Sequence, residues 1–339
     1  MTNVFNRYGQ VTRRVALGTF AGILAVTSAS PLRAQSLEKV SVRLDWLPGA
    51  DHSALFLAKE RGYYKDQGLD VEILSGQGSV TTLQLIGAGN QTIGLASLSA
   101  LALAASKGAP VIGIAGIMQR APESVITLKT SGITKPSDLE GKKFGAVPGD
   151  QAQRLFDAFA EKNKIDMSKI KKIAVNHASM YSSLISGDID FIAAWAVPDG
   201  TKVNKVKPIN PPMMFSDSGI NTLGTGIFVT KDTAEKKTDI IKKFMIATQK
   251  GAADAEKDPV AAVAAVHNAN PETDPEILTE EMKTLPRFLH TDNSAGKPYG
   301  WVAKEDLLQT IAIQEKYFGM REGMKPDDMY TDKFFPTAN

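Results

Sequence analysis

The residue types able to do chemistry in this 339-residue chain fall into a few short stretches. The first is "LDWLPGADH", which sets an aromatic face at Trp46 beside a carboxylate at Asp51 and an imidazole at His52. An indole offers a flat apolar wall with one N–H. A carboxylate and an imidazole next to it could accept and donate hydrogen bonds to a bound edge, or move a proton. The second group is a pair of small-residue turns, "SGQGSVTT" with Gly78 and "SLSAL" with Ser97 and Ser99. Turns of that kind can point N–H groups at an anion or a carbonyl oxygen. The remaining candidates are Gln119 and Arg120 in "IMQRAPES", Gly149 and Asp150 in "VPGDQAQR", Trp195 in "AAWAVPDG" and Asp217 in "SDSGI".

Each candidate has a plainer reading. Trp46 could pack in a core, although Pro48 and Gly49 take the chain out of a strand just after it. Asp51 or Ser53 could cap the following helix, and Asp150 could cap another. His52 could serve locally. Arg120 could clamp a carboxylate or pair with Glu123, and Trp195 could form an aromatic wall or sit in a core.

Several kinds of chemistry are excluded or disfavoured. The chain has no cysteine, so disulfides, thiolate metal sites and cysteine nucleophiles are absent. Its four histidines show no metal-ligand spacing, and no metal is expected. "GQG" lacks the last glycine of a dinucleotide fingerprint, because Thr81 stands there, and no cofactor is expected. Formal net charge is +2, yet residues 1–34 hold four arginines and no acid. The rest carries 35 basic and 37 acidic residues, a net of −2, which gives a nucleic-acid partner no support.

Positioning these groups falls to alternating elements. Strands are expected at 40–46, 70–74, 92–97, 111–117 and 124–129, with helices at 53–61, 79–89 and 98–108 between them. This order implies an open α/β sheet with ligand-facing loops at strand ends. A crossover over 131–150 leads to a second α/β alternation, with strands near 143–147, 172–176 and 189–195. A strand at 224–232 returns, and helices follow at 238–256, 259–267, 275–285 and 304–317. The phenylalanines of "TDKFFPTAN" are expected to pack against the first lobe. At the other end, "VTRRVALGTFAGILAVTSASPLRA" reads as a twin-arginine export signal covering residues 1–34, cleaved after Ala34.

"LDWLPGADHSALFLAKERGYYKDQGLDVEI" closely resembles the opening of periplasmic substrate-binding proteins of ABC importers. The branch is the one for nitrate, sulfonates, taurine and the pyrimidine precursor of thiamine. "LIGAGNQTIGLAS", "ASKGAPVIGIAGI", "SGITKPSDLEGKKFGAVPG" and "LISGDIDFIAAW" follow in that family's order, so the likeness spans most of residues 40–230. It implies a type II, two-lobed α/β fold that closes on ligand in an interlobe cleft. Lobe one would comprise 36–128 and 223–339, and lobe two 129–222. The implied partners are a small-molecule ligand and the importer's permease and ATPase subunits, and the implied place of work is the periplasm.

"LDW-P---H" and "SDSGI" look most like thiamine-pyrimidine binders. Within the resemblance, Trp46, Asp51, His52, Gly78, Ser97, Ser99, Gln119, Arg120, Gly149, Asp150, Trp195 and Asp217 are the expected ligand contacts. The alternatives are a phthalate-like aromatic carboxylate or a small sulfonate or nitrate. "AVPDG" departs from the glutamate-bearing segment common in pyrimidine binders. A pyrimidine synthase of the same fold would need a histidine placed to be consumed and a cysteine-rich iron site. The absence of cysteine speaks against such an enzyme, and no catalysis is expected.

Overall fold

The computed structural model describes residues 36–148 and 151–335; the export signal expected over 1–34 and the site residues Gly149 and Asp150 lie outside them. Among the described residues, ten strands form two five-stranded sheets. They are β1 (Glu38–Arg43), β2 (Leu69–Leu74), β3 (Ile93–Ser97), β4 (Val111–Gly116), β5 (Glu123–Thr127), β6 (Lys143–Ala146), β7 (Lys171–Ala174), β8 (Phe191–Trp195), β9 (Met213–Met214) and β10 (Thr225–Thr230). The first sheet has the order β2-β1-β3-β10-β4 and the second β7-β6-β8-β5-β9.

Alternation explains the strand that carries the first candidate group. Val40, Val42 and Leu44 are buried and the residues between them are not, so β1 hides one face. It runs parallel to β2 and β3. β10 then enters antiparallel between β3 and β4, bringing Thr225 opposite Ser97. A side chain at Gly94 of β3 would lie 2.5 Å from the Phe228 ring, so the strands and their helices can close only over glycine there.

β5 pairs antiparallel with β8 and β9, so it belongs to the second sheet and not with the strands before it. The chain changes sheets between Gly116 and Glu123, upstream of the expected boundary after Leu128. It returns between Met214 and Thr225. The two passages are stapled together: Asn221 accepts from the Ala121 N–H (2.9 Å) and donates to the Gln119 carbonyl (3.2 Å), and the Gly224 N–H reaches the Met118 carbonyl (2.9 Å).

The first sheet's core is largely aliphatic, with Val40, Val42, Leu55, Ile93, Leu95 and Ile227 among its members. Phe334 joins this core and Phe335 packs against it. The second sheet covers a cluster rich in phenylalanine. The helix Lys304–Phe318 belongs to both sides, sending Leu307 and Ile311 into a core beside the first sheet and Ile313 into that of the second. Among the described residues, no helix is long and apolar enough to cross a membrane.

Candidate functional site

β1 ends at Arg43, and Leu44 and Asp45 follow before the chain turns out at Trp46. Two glycines fix that turn. The N–H of Gly76 donates to the Trp46 carbonyl (2.8 Å) and the N–H of Gly78 to the Asp45 carbonyl (2.7 Å). A Cβ on Gly76 would sit 2.1 Å from the Leu44 oxygen, and Gly78 has φ +107°, so both positions require glycine. The indole of Trp46 is left 59% exposed, which rules out a core role for it. Leu47 beside it is also exposed.

Behind the indole lies a network centred on Asp45, a residue that sequence reasoning passed over. Its Oδ1 lies 2.9 Å from His52 Nε2, and its Oδ2 accepts from the Thr225 hydroxyl (3.0 Å). His52 is 2% exposed. Its Nδ1 lies 3.1 Å from the Gly49 N–H and 3.4 Å from Asp51 Oδ1. On a neutral ring Nδ1 accepts from Gly49; on a protonated ring it turns an N–H toward Asp51. Burial pulls the His52 pKa down, but the charges of Asp51 and Asp45 outweigh it and raise it to about 9. The imidazolium is therefore the form at neutral pH. Burial opposes ionisation of Asp45, yet hydrogen bonds from His52 and Thr225 and the His52 charge hold its pKa below the usual carboxylate value. Burial pushes Asp51 up. Glu281, whose carboxylate accepts from the Ala50 N–H (3.4 Å), is raised by burial and by Asp51 to about 7.

His52 is thus occupied on both sides by protein groups. Asp45, Asp51 and His52 bring donor atoms within 4.8 Å of one another, as a metal would require. Both ring nitrogens already face protein groups, so the cluster as arranged is an ion-pair network.

The small-residue turns are also fastened internally. The Leu98 N–H donates to the Gly224 carbonyl (2.8 Å), while the Ser99 N–H (3.3 Å) and hydroxyl (2.7 Å) both reach the Leu223 carbonyl. Ser97 donates weakly to that carbonyl (3.4 Å) and its own N–H is taken by the Ser79 hydroxyl (3.0 Å). Gln119 is buried; its Nε2 donates to the Trp301 carbonyl (2.8 Å), and its Oε1 has no hydrogen-bond partner among the described residues. Arg120 turns to the His290 carbonyl (3.1 Å) and to Asp292 (2.7 Å), a different partner from the Glu123 weighed in the sequence. Neither Asp51 nor Ser53 caps its helix with a side chain. Trp195 ends β8 half-buried against the first sheet's core, and Asp217 is exposed in a short turn at Ser216–Ser218.

The structure therefore brings Trp46, Asp51, His52 and Gly78 together around Asp45. Ser97 and Ser99 gather at Leu223, next to Gln119 and Arg120 only through the stapled crossing segments. Asp45 had one signal in the sequence: an acid between Leu44 and Trp46, just past a half-buried strand, must find a partner when buried.

A family profile described as NMT1/THI5 like matches residues 49–262. A 4-amino-5-hydroxymethyl-2-methylpyrimidine phosphate synthase of Legionella pneumophila is 22% identical over 88% of this chain and 92% of its own. A formylaminopyrimidine-binding protein of Halalkalibacterium halodurans is 22% identical over 88% of this chain and 91% of its own. A yeast synthase of the same name as the Legionella protein is 37% identical over 33% of each chain. Among solved structures, the periplasmic aliphatic sulphonate binding protein SsuA of Escherichia coli superposes with a TM-score of 0.69 at 14% identity, over 84% of this chain and 88% of that one. That likeness shows the periplasmic-binding-protein fold.

Proposed function

The chain belongs to the NMT1/THI5-like family, and we propose that it is an exported solute-binding protein for a small planar heteroaromatic compound. The preferred ligand is a thiamine-precursor pyrimidine, held between a lobe built on the first sheet and a lobe built on the second, with the first boundary upstream of the expected 128/129 because β5 pairs with β8. Delivery would be to the permease and ATPase of an ABC importer. Residues 1–34 are the export signal of this reading.

The observation that carries it is Trp46. An indole left 59% exposed at the carboxyl end of β1, on a loop pinned by Gly76 and Gly78, is a preorganised stacking surface. Asp45 and His52 are positioning residues beneath it. Edge contacts fall to Gln119 Oε1, which can accept from an amino group, and to Ser97. Trp195 and Asp150 would close from the other lobe. The names of the two pyrimidine-related relatives support the ligand class.

A sulfonate or nitrate is the second reading, favoured by the fold neighbour's name. It is weakened by the turn N–H groups at Gly76, Gly78, Leu98 and Ser99, all spent on backbone carbonyls. A synthase is the third, favoured by relatives' names.

Calorimetric titration of the mature protein with 4-amino-5-hydroxymethyl-2-methylpyrimidine, taurine and nitrate separates the first two readings, and mass spectrometry for newly formed pyrimidine phosphate tests the third. Only the pyrimidine is expected to bind, and to be recovered unchanged by mass spectrometry. Trp46→Ala should weaken it about 5- to 150-fold, roughly 1–3 kcal/mol, through lost stacking and apolar burial. Tight taurine or nitrate binding with no pyrimidine binding would overturn the ligand class, and appearance of the pyrimidine phosphate in an incubation to which no pyrimidine was added would overturn the binding role.

A further inference from the structure

A cavity of about 530 Å³ lies beside the first sheet. Its walls come from the turn at Asp51 and the start of the helix Ser53–Glu60, from the helix Thr238–Lys257, and from residues 282–299. None of its lining residues belongs to 123–222, the segment that builds the second sheet, and Trp46 is not among them. Its size is that of a pocket for a small organic molecule.

Most of the lining is apolar: Ala252, Met282, Leu285, Leu289 and the Tyr299 ring. Two acids line it: Glu256, which is exposed, and Asp51, set into the wall with its side chain 19% exposed. Apart from N–H groups of its own turn, the one ion-pair partner of Asp51 among the described residues is His52. His52 must also serve Asp45 at 2.9 Å and lies near Glu281, so one imidazole is shared among three carboxyl groups. Lys297 lines the rim, but its ammonium lies over the Trp301 ring, 5.2 Å from its centroid. Lys202, whose charge acts on Glu281, is not among the lining residues. Burial and the charge of Asp51 push the Tyr299 hydroxyl pKa up, which places that hydroxyl within the field of the carboxylate. Gln249 and His290 also line the cavity, and each keeps one buried side-chain nitrogen without a hydrogen-bond partner among the described residues. A carboxylate in an apolar wall is costly unless a donor meets it, and a cationic donor meets it best.

We propose that this cavity is a second binding site, independent of the cleft, for a small organic amine with an apolar body. The ammonium would sit on Asp51, and the body against Met282, Leu285, Leu289 and Tyr299. An organic anion would meet the Asp51 carboxyl group and be rejected.

The probes are benzylamine, benzyl alcohol and benzoate, titrated by NMR into the mature wild-type protein. Benzylamine is expected to bind at least about tenfold more tightly than the other two, as a charge-assisted hydrogen bond predicts. Asp51→Asn should cost benzylamine about tenfold or more. Ala253→Trp, an exposed position on the cavity wall, should block it while leaving the fold intact. Saturating 4-amino-5-hydroxymethyl-2-methylpyrimidine should not displace benzylamine, and Trp46→Ala should leave its affinity unchanged. The proposal is overturned if benzoate binds as well as benzylamine, if folded Ala253→Trp binds benzylamine normally, or if the pyrimidine competes with it. The amine titration needs no cleft ligand, so its outcome is separable from that of the preceding proposal.

Discussion

Under the second sheet, Phe144 stacks on Phe191 at 4.9 Å between centroids, tilts against Phe156 at 4.6 Å, and is extended by Phe159 on Phe215 at 4.9 Å. At the end of the first sheet, the buried material is Asp45, His52 and Thr225, joined at 2.9 and 3.0 Å. Both regions are closed to solvent, but they are held by different forces. The phenylalanine cluster is stabilised by apolar burial and ring geometry, which do not titrate. The polar network holds only while each group keeps its partner and its charge. The contrast teaches why the loop bearing Trp46 is built this way. An exposed aromatic cannot be held in place by burial, so the groups beneath it must hold the backbone directionally.

The largest effect is expected in the aromatic cluster. Phe191→Ala removes a fully buried ring that touches both Phe144 and Phe156, and should cost about 3–5 kcal/mol. Chemical denaturation would measure it, and the loss should be the same at pH 6 and pH 9. A pH-dependent loss would break the comparison by showing that the two regions are coupled.

Next comes Asp45→Asn, which keeps the shape but removes the charge that faces His52. It should cost about 1–3 kcal/mol, because a buried partner loses a charge-assisted hydrogen bond. Unlike Phe191→Ala, it should also lower the His52 pKa, seen by NMR titration of the imidazole. A His52 pKa that does not move would remove Asp45 from the centre of the network.

The same residues mark what could be read in the sequence. Helices and strands followed from periodicity and from glycine stops such as Gly62 and Gly108, both at positive φ just past a helix. The pairing of β5 did not. Five residues buried on every side look alike in either sheet, and the choice is made by β8, some 65 residues on. Trp46 was legible because Pro48 and Gly49 take the chain out of the sheet. The role of His52 was not. Whether a histidine faces ligand or protein depends on Asp45, whose other partner Thr225 is 180 residues distant, and on Glu281, 231 residues from Ala50. Local spacing carries no trace of such contacts.

A smaller effect is expected from pH alone. His52 is raised from 6.5 to about 9, so folding binds its proton more tightly than the open chain does. The stability it contributes is fully present below pH 6.5 and is lost as pH rises through 9. Glu281, raised from 4.5 to about 7, adds a loss of the same sign between those values. Thermal melts should therefore decline from about pH 5 to pH 9. Glu281→Gln should flatten the lower part of that decline and His52→Gln the upper part. A melt that rises over this range would mean that the network is not charged as described.

The smallest change in stability should come from Trp46→Ala. The side chain is 59% exposed, and the loop is fixed by the carbonyls of Trp46 and Asp45, which the substitution retains. Surface changes of this kind usually stay within about 0.5 kcal/mol. The midpoint of denaturation should match that of the wild type at both pH 6 and pH 9, even as pyrimidine binding falls. That combination sets Trp46 apart from either buried region: it would be a residue kept at the surface for contact, with its position set entirely by what lies beneath. A large loss of stability would show instead that the indole holds the loop, and the division between the exposed face and its buried support would fail at its most exposed residue.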